Sequence, residues 1–298
     1  MAAKNPEYEV FKALSFYDIF EYPLTLLEIH RNLEASCDMT EAALALETLK
    51  TKNKIAEESG FFFLSGRNGL AEKRKSRFLI SFKKIKKARR AVAFFRLLPW
   101  IKFIGICNSL GNMNASNESD IDFFVITKKK RLWTARFFLA GALKIFGLRP
   151  GKITRDKMCL SFFAGEDGLD VSGAALPDGD PYFYRWISWI MPLYDDGIYQ
   201  KFIESNAWVK NFLPNFKEQR TDAVHPNFKN TGLAFGNWLE ARLKNFQLKI
   251  MPQELKEALL RSDRSVILGD AIIKLHALDR RMEYKKNYEL RINNGEQD

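Results

Sequence analysis

Residues 101–127 read IKFIGICNSLGNMNASNESDIDFFVIT, and this stretch decides the fold that the sequence predicts. Residues 101–107 are apolar and of strand length, residues 108–119 are mostly small and polar, and residues 121–126 are apolar again. The pattern predicts a strand, a polar turn and a second strand. Because residues two apart in a strand point to the same face, we expect Asp120 and Asp122 to project together.

This carboxylate pair predicts a cation site. Two neighbouring carboxylates repel, and their pKa values rise unless a cation lies between them. Their hard oxygen atoms favour Mg²⁺, and two such ions that bridge phosphate oxygens favour in-line displacement at phosphorus. In the turn, Ser109 and Gly111 are predicted to offer a small side chain and exposed N–H groups to phosphates. A polar hairpin whose aspartates cap a turn is the alternative interpretation.

The same residues carry a resemblance to a known family. Asn108-Ser109, followed after ten residues by Asp120-Ile121-Asp122, resembles the Gly-Ser…Asp-x-Asp signature of the DNA polymerase β-like nucleotidyltransferase superfamily. The resemblance is specific over residues 101–126, looser as far as Val171 and absent elsewhere. Asn108 stands where the family has glycine. Because asparagine tolerates a positive φ better than most residues, the turn is expected to survive.

The resemblance implies Mg²⁺-dependent transfer of a nucleoside monophosphate from an NTP to an acceptor. Asp120 and Asp122 would hold the metal, and Asn108, Ser109 and Gly111 would bind the triphosphate. The family's third carboxylate, which activates the acceptor, is matched loosely by Asp170 in Leu169-Asp170-Val171 on a predicted returning strand. Ser161 is the competing position, and it would leave the third acid missing. A catalytically silent fold that acts as a nucleic-acid-binding or regulatory module is then the alternative function.

Composition limits the class of protein. The chain has 298 residues, of which 46% are hydrophobic, so it can form two or three small domains with a sizeable core. Its three cysteines form no CxxC motif and predict reduced thiols in a cytoplasmic protein. No apolar signal core and no membrane-spanning run is visible. The formal net charge of +11 indicates an anionic partner.

Residues 1–68 are predicted to form a winged-helix-like domain. Three helical segments, with predicted N-caps at Thr25 and Thr40, precede a hairpin around residues 57–60. That order is typical of a winged helix, a variant of helix-turn-helix. Nucleic-acid contact and docking within or between chains are both open, and the acidic, apolar start of the third helix favours docking.

Residues 69–175 are predicted to combine a basic linker helix with the nucleotidyltransferase-like domain. The helix spans residues 70–98, and its eleven Lys or Arg residues begin with Lys73 and end with Arg96. Its charged face predicts a nucleic-acid surface with salt-dependent binding, a merely solvated face or a membrane-surface helix. The apolar stripe that we expect to pack comprises Phe78, Phe82, Ile85, Val92 and Phe95.

Residues 176–298 are predicted to be helical and to end in an amphipathic helix over residues 265–290. This helix would aim Lys274, His276 or Arg280 at a substrate phosphate, with His276 as the weaker candidate. The predicted fold class is therefore α+β, with a nucleotidyltransferase-like mixed sheet flanked by helices, a winged-helix N-terminal domain and a helical C-terminal region.

Overall fold

The computed structural model describes residues 5–151, 153–219, 237–261, 264–276 and 278–297. Within these ranges the chain forms eleven α-helices and eight strands. The helices are α1 (Pro6–Asp18), α2 (Leu26–Arg31), α3 (Met39–Thr51), α4 (Leu70–Phe95), α5 (Asn108–Gly111), α6 (Leu132–Ile145), α7 (Pro181–Trp189), α8 (Tyr199–Ser205), α9 (Asn237–Lys249), α10 (Gln253–Leu260) and α11 (Arg281–Gln297). The strands are β1 (Ile55–Glu58), β2 (Phe61–Leu64), β3 (Ile101–Ile106), β4 (Ile121–Thr127), β5 (Met158–Gly165), β6 (Met191–Asp195), β7 (Val266–Leu268) and β8 (Ile272–Leu275).

The N-terminal region has the predicted three helices followed by a hairpin. Thr25 caps α2 in a capping box with Glu28, as predicted. The Thr40 cap is wrong, because Asp38 and Glu41 form the capping box and start α3 one residue before Thr40. Between β1 and β2, Ser59 and Gly60 both have positive φ, which is typical of a tight two-residue hairpin turn.

The central sheet is mixed and six-stranded, with strand order β6-β3-β4-β5-β8-β7. β4 pairs antiparallel with β3 and parallel with β5. The predicted strand, polar turn and strand over residues 101–127 correspond to β3, α5 and β4. The described part of the chain is therefore α+β, as expected.

The C-terminal region is not wholly helical, so that prediction is wrong. It supplies β6 at one edge of the sheet and the β7–β8 hairpin at the other. The long helix predicted over residues 265–290 is replaced by this hairpin and by α11, which begins only at Arg281. The hairpin forms because β8 pairs antiparallel with both β5 and β7, and this long-range pairing overrides the helical spacing of the apolar residues.

Both faces of β4 are buried. Phe123 and Val125 pack into one hydrophobic cluster with α4 and α6, whereas Phe124 and Ile126 pack into another with α7, α8 and the N-terminal helices. Because alternate residues of a strand share a face, Asp122 lies on the face of Phe124. The aspartate pair therefore opens towards α5 and α7.

Helix α4 differs from its predicted packing. Ile85, Val92 and Phe95 are buried as expected, but Phe78 and Phe82 are 48% and 50% exposed. The inner face of the helix instead includes small and polar residues that contact the loop before β4, as described below.

Candidate functional site

The structure brings the two predicted carboxylates together at the start of β4. Asp120 directly precedes the strand, Asp122 is its second residue, and both are half-buried. One carboxylate oxygen of each and the Sγ atom of Cys159 all lie within 4.8 Å of one another. In the described part of the chain, no lysine, arginine or histidine forms an ion pair with either aspartate.

Cys159 is the site residue that the sequence analysis missed. It lies on β5 directly beside Asp122 in the parallel register. A register shift follows, so that Phe124 pairs with Phe162, and two residues of β5 lie opposite Phe123. This bulge sets which β5 side chain meets the aspartates. The sequence showed a strand here but carried no signal for its register.

The electrostatics of the pair are those of two carboxylates that lack a direct ion-pair partner among the described residues, with the charge of Lys84 acting on Asp120. Burial, followed by the charge of Asp120, raises the pKa of Asp122 to about 7, although a hydrogen bond from the Asn108 side chain opposes this rise. Burial also raises the pKa of Asp120. Burial and the nearby Asp122 raise the pKa of the Cys159 thiol well above its ordinary value. A cation between these groups would relieve the repulsion.

Asn108 connects the aspartate pair to α7. Its φ of 54° is left-handed, a conformation that asparagine tolerates better than most residues. The Oδ1 atom of Asn108 accepts hydrogen bonds from Trp186 Nε1 at 2.9 Å and from Tyr182 Oη at 3.3 Å. Because the same side chain also hydrogen-bonds Asp122, α7 fixes the orientation of Asn108 towards the carboxylate.

Ser109 and Gly111, the other two turn residues predicted to bind phosphate, differ in their exposure to solvent. Ser109 is exposed on α5, and its predicted contact with phosphate stays a prediction. Gly111 is buried, and its N–H group donates to the Cys107 carbonyl oxygen, so it offers no exposed donor. A side chain at Gly111 would collide with the Trp189 carbonyl oxygen. This glycine is therefore explained by close packing against the end of α7.

The loop that delivers Asp120 is held by α4. Lys84 is only 2% exposed, and its Nζ donates to the carbonyl oxygens of Ser119 at 2.7 Å and Asn117 at 3.1 Å. The same ammonium group pairs with Asp156 at 2.9 Å. Ser81, one turn earlier on α4, accepts a hydrogen bond from the Ala115 N–H group. Lys84 is thus a positioning residue, which the sequence analysis did not single out among the cations of α4.

Asp170 does not join the aspartate pair. It is exposed, and its carboxylate accepts a hydrogen bond from the N–H group of Ser172 at the start of a 3₁₀ turn. The predicted returning strand around Asp170 is wrong, because residues 168–170 have no regular secondary structure. Ser161, the competing position, is buried on β5. Neither residue supplies a third carboxylate, and Cys159 occupies that place beside Asp122.

A cavity of about 160 Å³ adjoins Asn108 on the side of α7 and α11. Its lining combines aromatic side chains with Lys274 and His276. Lys274 lies on β8 rather than on a helix, and its Nζ contacts Asp279 Oδ2 at 2.7 Å and the Arg264 carbonyl oxygen at 2.8 Å. Burial, followed by the charge of Arg281, lowers the pKa of Lys274 to about 8. Burial lowers the pKa of His276 to about 4, so its imidazole is neutral at neutral pH.

The donor set fits a divalent cation. Two carboxylates without a cationic partner converge in a half-buried site, and hard oxygen ligands suit Mg²⁺. The third atom is a thiol sulfur, which is a softer ligand than the oxygen of a carboxylate. If a divalent cation binds here, Asp120 and Asp122 are the residues that would hold it, with Cys159 as their neighbour.

Comparisons with models of known protein families, with curated proteins and with solved structures find no match to this chain. Among the helices that the structure describes, none combines the length and the apolar character needed to cross a membrane.

Proposed function

We propose that the protein is a Mg²⁺-dependent nucleotidyltransferase, which transfers a nucleoside monophosphate from an NTP to an acceptor. The observation that carries this proposal is the convergence of Asp120 and Asp122, without a cationic partner among the described residues, beside the left-handed turn at Asn108. This arrangement agrees with the resemblance of residues 101–126 to the nucleotidyltransferase superfamily. The predicted cytoplasmic location belongs to the same proposal.

Several residues of the chain would prepare the site for substrate. Mg²⁺, when bound, supplies positive charge that offsets the charge of the triphosphate. Asn108 orients Asp122, and Lys84 fixes the loop before Asp120. The cavity beside Asn108 offers the rings of Tyr182 and Trp186 to the nucleoside part of the substrate. Catalysis would then depend mainly on positioning and on charge stabilisation.

The reaction requires that a nucleophilic atom of the acceptor bonds to the α-phosphorus. The bond between the α-phosphorus and the oxygen that bridges to the β-phosphate breaks, and pyrophosphate leaves with the electron pair. The proton of an acceptor hydroxyl passes to water or to a base. Because Cys159 and not a carboxylate stands beside Asp122, we expect slow transfer to a hydroxyl and faster transfer to an acceptor that has already lost its proton.

A second candidate function is a catalytically silent fold that binds nucleotide or nucleic acid. The presence of Cys159 at the place of a third carboxylate favours this alternative. We infer that residues 1–68 then act as a winged-helix-like docking unit, because their elements follow the winged-helix order and α1 packs against α11. The exposed cations of α4 would provide the contact with nucleic acid.

Transfer of labelled NTPs to the components of a cell lysate tests the first proposal. We expect labelled product with the parent protein and with Asp170→Asn, and none with Asp120→Asn or Asp122→Asn. Asp170→Asn is the matched control, because it also removes one carboxylate charge but lies outside the site. Transfer at the parent rate by either site variant would overturn the assignment. Absence of transfer together with binding of Mg-NTP would establish the silent alternative.

A further inference from the structure

A long apolar groove lies between α4 and α6 on the side of the sheet away from the aspartate pair. Its volume is about 630 Å³. Its lining includes the small residues Ala91 and Ala142 and the aromatic residues Phe94, Phe138 and Phe146.

The apolar side chains at this groove are far more exposed than hydrophobic residues usually are. Phe94 is 71% exposed and Phe146 is 72% exposed. Ile145, beside Phe146 at the end of α6, is 82% exposed. A contiguous apolar surface of this kind on a folded protein marks a contact with another molecule or with a membrane.

The rim of the groove is positively charged. Lys87 and Arg90 on α4 line its edge. In the sequence of the two helices and the segments next to them, residues 73–98 contain no aspartate or glutamate, and residues 128–157 contain only Asp156. Asp156 is itself paired with Lys84 and Lys87. Lys87 and Arg90 thus place cations at the edge of the apolar lining, and Asp156, the acidic residue that lines the groove, is already paired.

We propose that the α4–α6 groove and its basic rim form a docking surface for an anionic lipid bilayer. Lysine and arginine contact anionic headgroups, while Phe94, Ile145 and Phe146 enter the boundary between headgroups and acyl chains. Nucleic acid is a less suitable partner, because phosphate binding gives no role to an exposed isoleucine. This surface lies on the opposite face of the sheet from the aspartate pair, and the proposal does not rest on the proposed transferase activity.

Sedimentation with vesicles tests the proposal on the full chain. One vesicle is pure phosphatidylcholine, and the other contains phosphatidylcholine and phosphatidylglycerol in a two-to-one ratio. We expect binding only to the anionic vesicle, weakening steeply as salt is raised. Lys87→Gln with Arg90→Gln should weaken binding by about tenfold or more. Lys201→Gln with Lys210→Gln is the charge-matched control on another surface, since both lysines are exposed on α8 and the turn that follows, and it should change binding little.

The contribution of the exposed phenylalanines to binding distinguishes a bilayer from other polyanions. Phe94→Ser with Phe146→Ser should abolish vesicle binding, whereas Leu44→Ser, at an exposed leucine on α3, should leave it unchanged. These side chains are exposed, so the variants should keep the melting temperature of the parent. In a Phe146→Trp variant, lipids brominated on their acyl chains should quench more fluorescence than in the parent.

Three results would overturn the proposal. The first is absence of binding to the anionic vesicle. The second is equal binding to both vesicles. The third is loss of binding in the Lys87 and Arg90 variant but not in the Phe94 and Phe146 variant, which would identify a general polyanion surface and favour nucleic acid.

Discussion

Two carboxylate pairs in the described part of the chain differ in their surroundings, because cations contact Asp180 and Asp279 directly but form no ion pair with Asp120 or Asp122. Asp180 and Asp279 both contact the guanidinium of Arg281, at 2.6 Å and 2.8 Å, and Lys274 adds a second cation to Asp279. Asp120 and Asp122 have no such partner among the described residues. The pKa of Asp279 is held well below its ordinary value by Arg281 and Lys274, against the effect of burial. Burial and Asp120 instead raise the pKa of Asp122 to about 7.

This difference separates a structural charge cluster from a candidate binding site. At Asp180 and Asp279 the protein supplies the compensating charge itself, and the cluster joins β8, α7 and α11. At Asp120 and Asp122 no described cation makes such a contact, although the charge of Lys84 opposes the rise in the pKa of Asp120. Uncompensated carboxylates with raised pKa values are therefore the more informative sign of function.

Removing Arg281 should have the largest effect on stability. Arg281→Met leaves Asp180 and part of Asp279 buried without their guanidinium partner, and breaking such a buried pair costs about 3–5 kcal/mol. Urea unfolding of the parent and the variant measures the change in free energy. A loss below about 1 kcal/mol would show that Arg281 contributes little to the free energy of unfolding. The contrast between this cluster and the aspartate pair would then fail.

Replacing Cys159 by aspartate should turn the site into a three-carboxylate site. If the site lacks only a general base, Cys159→Asp should raise the rate of Mg²⁺-dependent transfer by about 10²-fold. General bases typically contribute 10²–10⁴-fold to a rate. Cys159→Ser is the control, because it removes the thiol without adding an acid. Equal transfer by both variants would show that the third position does not limit the reaction.

Asp122→Asn should make the metal-free protein more stable at pH 8. Burial and Asp120 raise the pKa of Asp122 in the folded state to about 7 from its ordinary value of 3.8, so between these values the folded state holds a proton that the unfolded state loses. Stability from this group is therefore full below about pH 4 and falls as pH rises towards 7. Asparagine avoids this loss, and we expect a gain of about 1–2 kcal/mol at pH 8 after allowance for solvent screening.

Thermal unfolding of the parent and Asp122→Asn from pH 4 to pH 8, with a metal chelator present, measures this effect. The two curves of stability should converge at low pH and separate as pH rises. A constant difference between them across this range would show that Asp122 titrates normally.

The sequence predicts well those features that depend on neighbouring residues. The Thr25 capping box, the hairpin at Ser59 and Gly60, and the polar turn between β3 and β4 each follow from a few consecutive residues. The convergence of Asp120 and Asp122 follows in the same way from the alternation of a strand.

Features set by long-range packing were not predictable in this way. Cys159 meets Asp122 because of the parallel register of β5 and its bulge, which no local pattern specifies. Lys274 lies on a strand because β8 finds a partner in β5. In the sequence, Lys84 looks like any other cation of a solvated helix. It is buried because the loop before β4 packs against α4.

The thermal shift caused by Mg-NTP tests most directly the claim that Asp120 and Asp122 form a nucleotide-dependent metal site. The comparison uses the parent, Asp120→Asn, Asp122→Asn and the control Asp170→Asn, each with Mg²⁺ and one NTP at a time. A ligand that binds only the folded state stabilises it by about 2.7 kcal/mol at 100 times its Kd, which corresponds to a rise of several degrees in Tm. We predict this rise for the parent and Asp170→Asn and its absence in both site variants. An equal rise in all four proteins, or no rise with any NTP, would contradict the assignment.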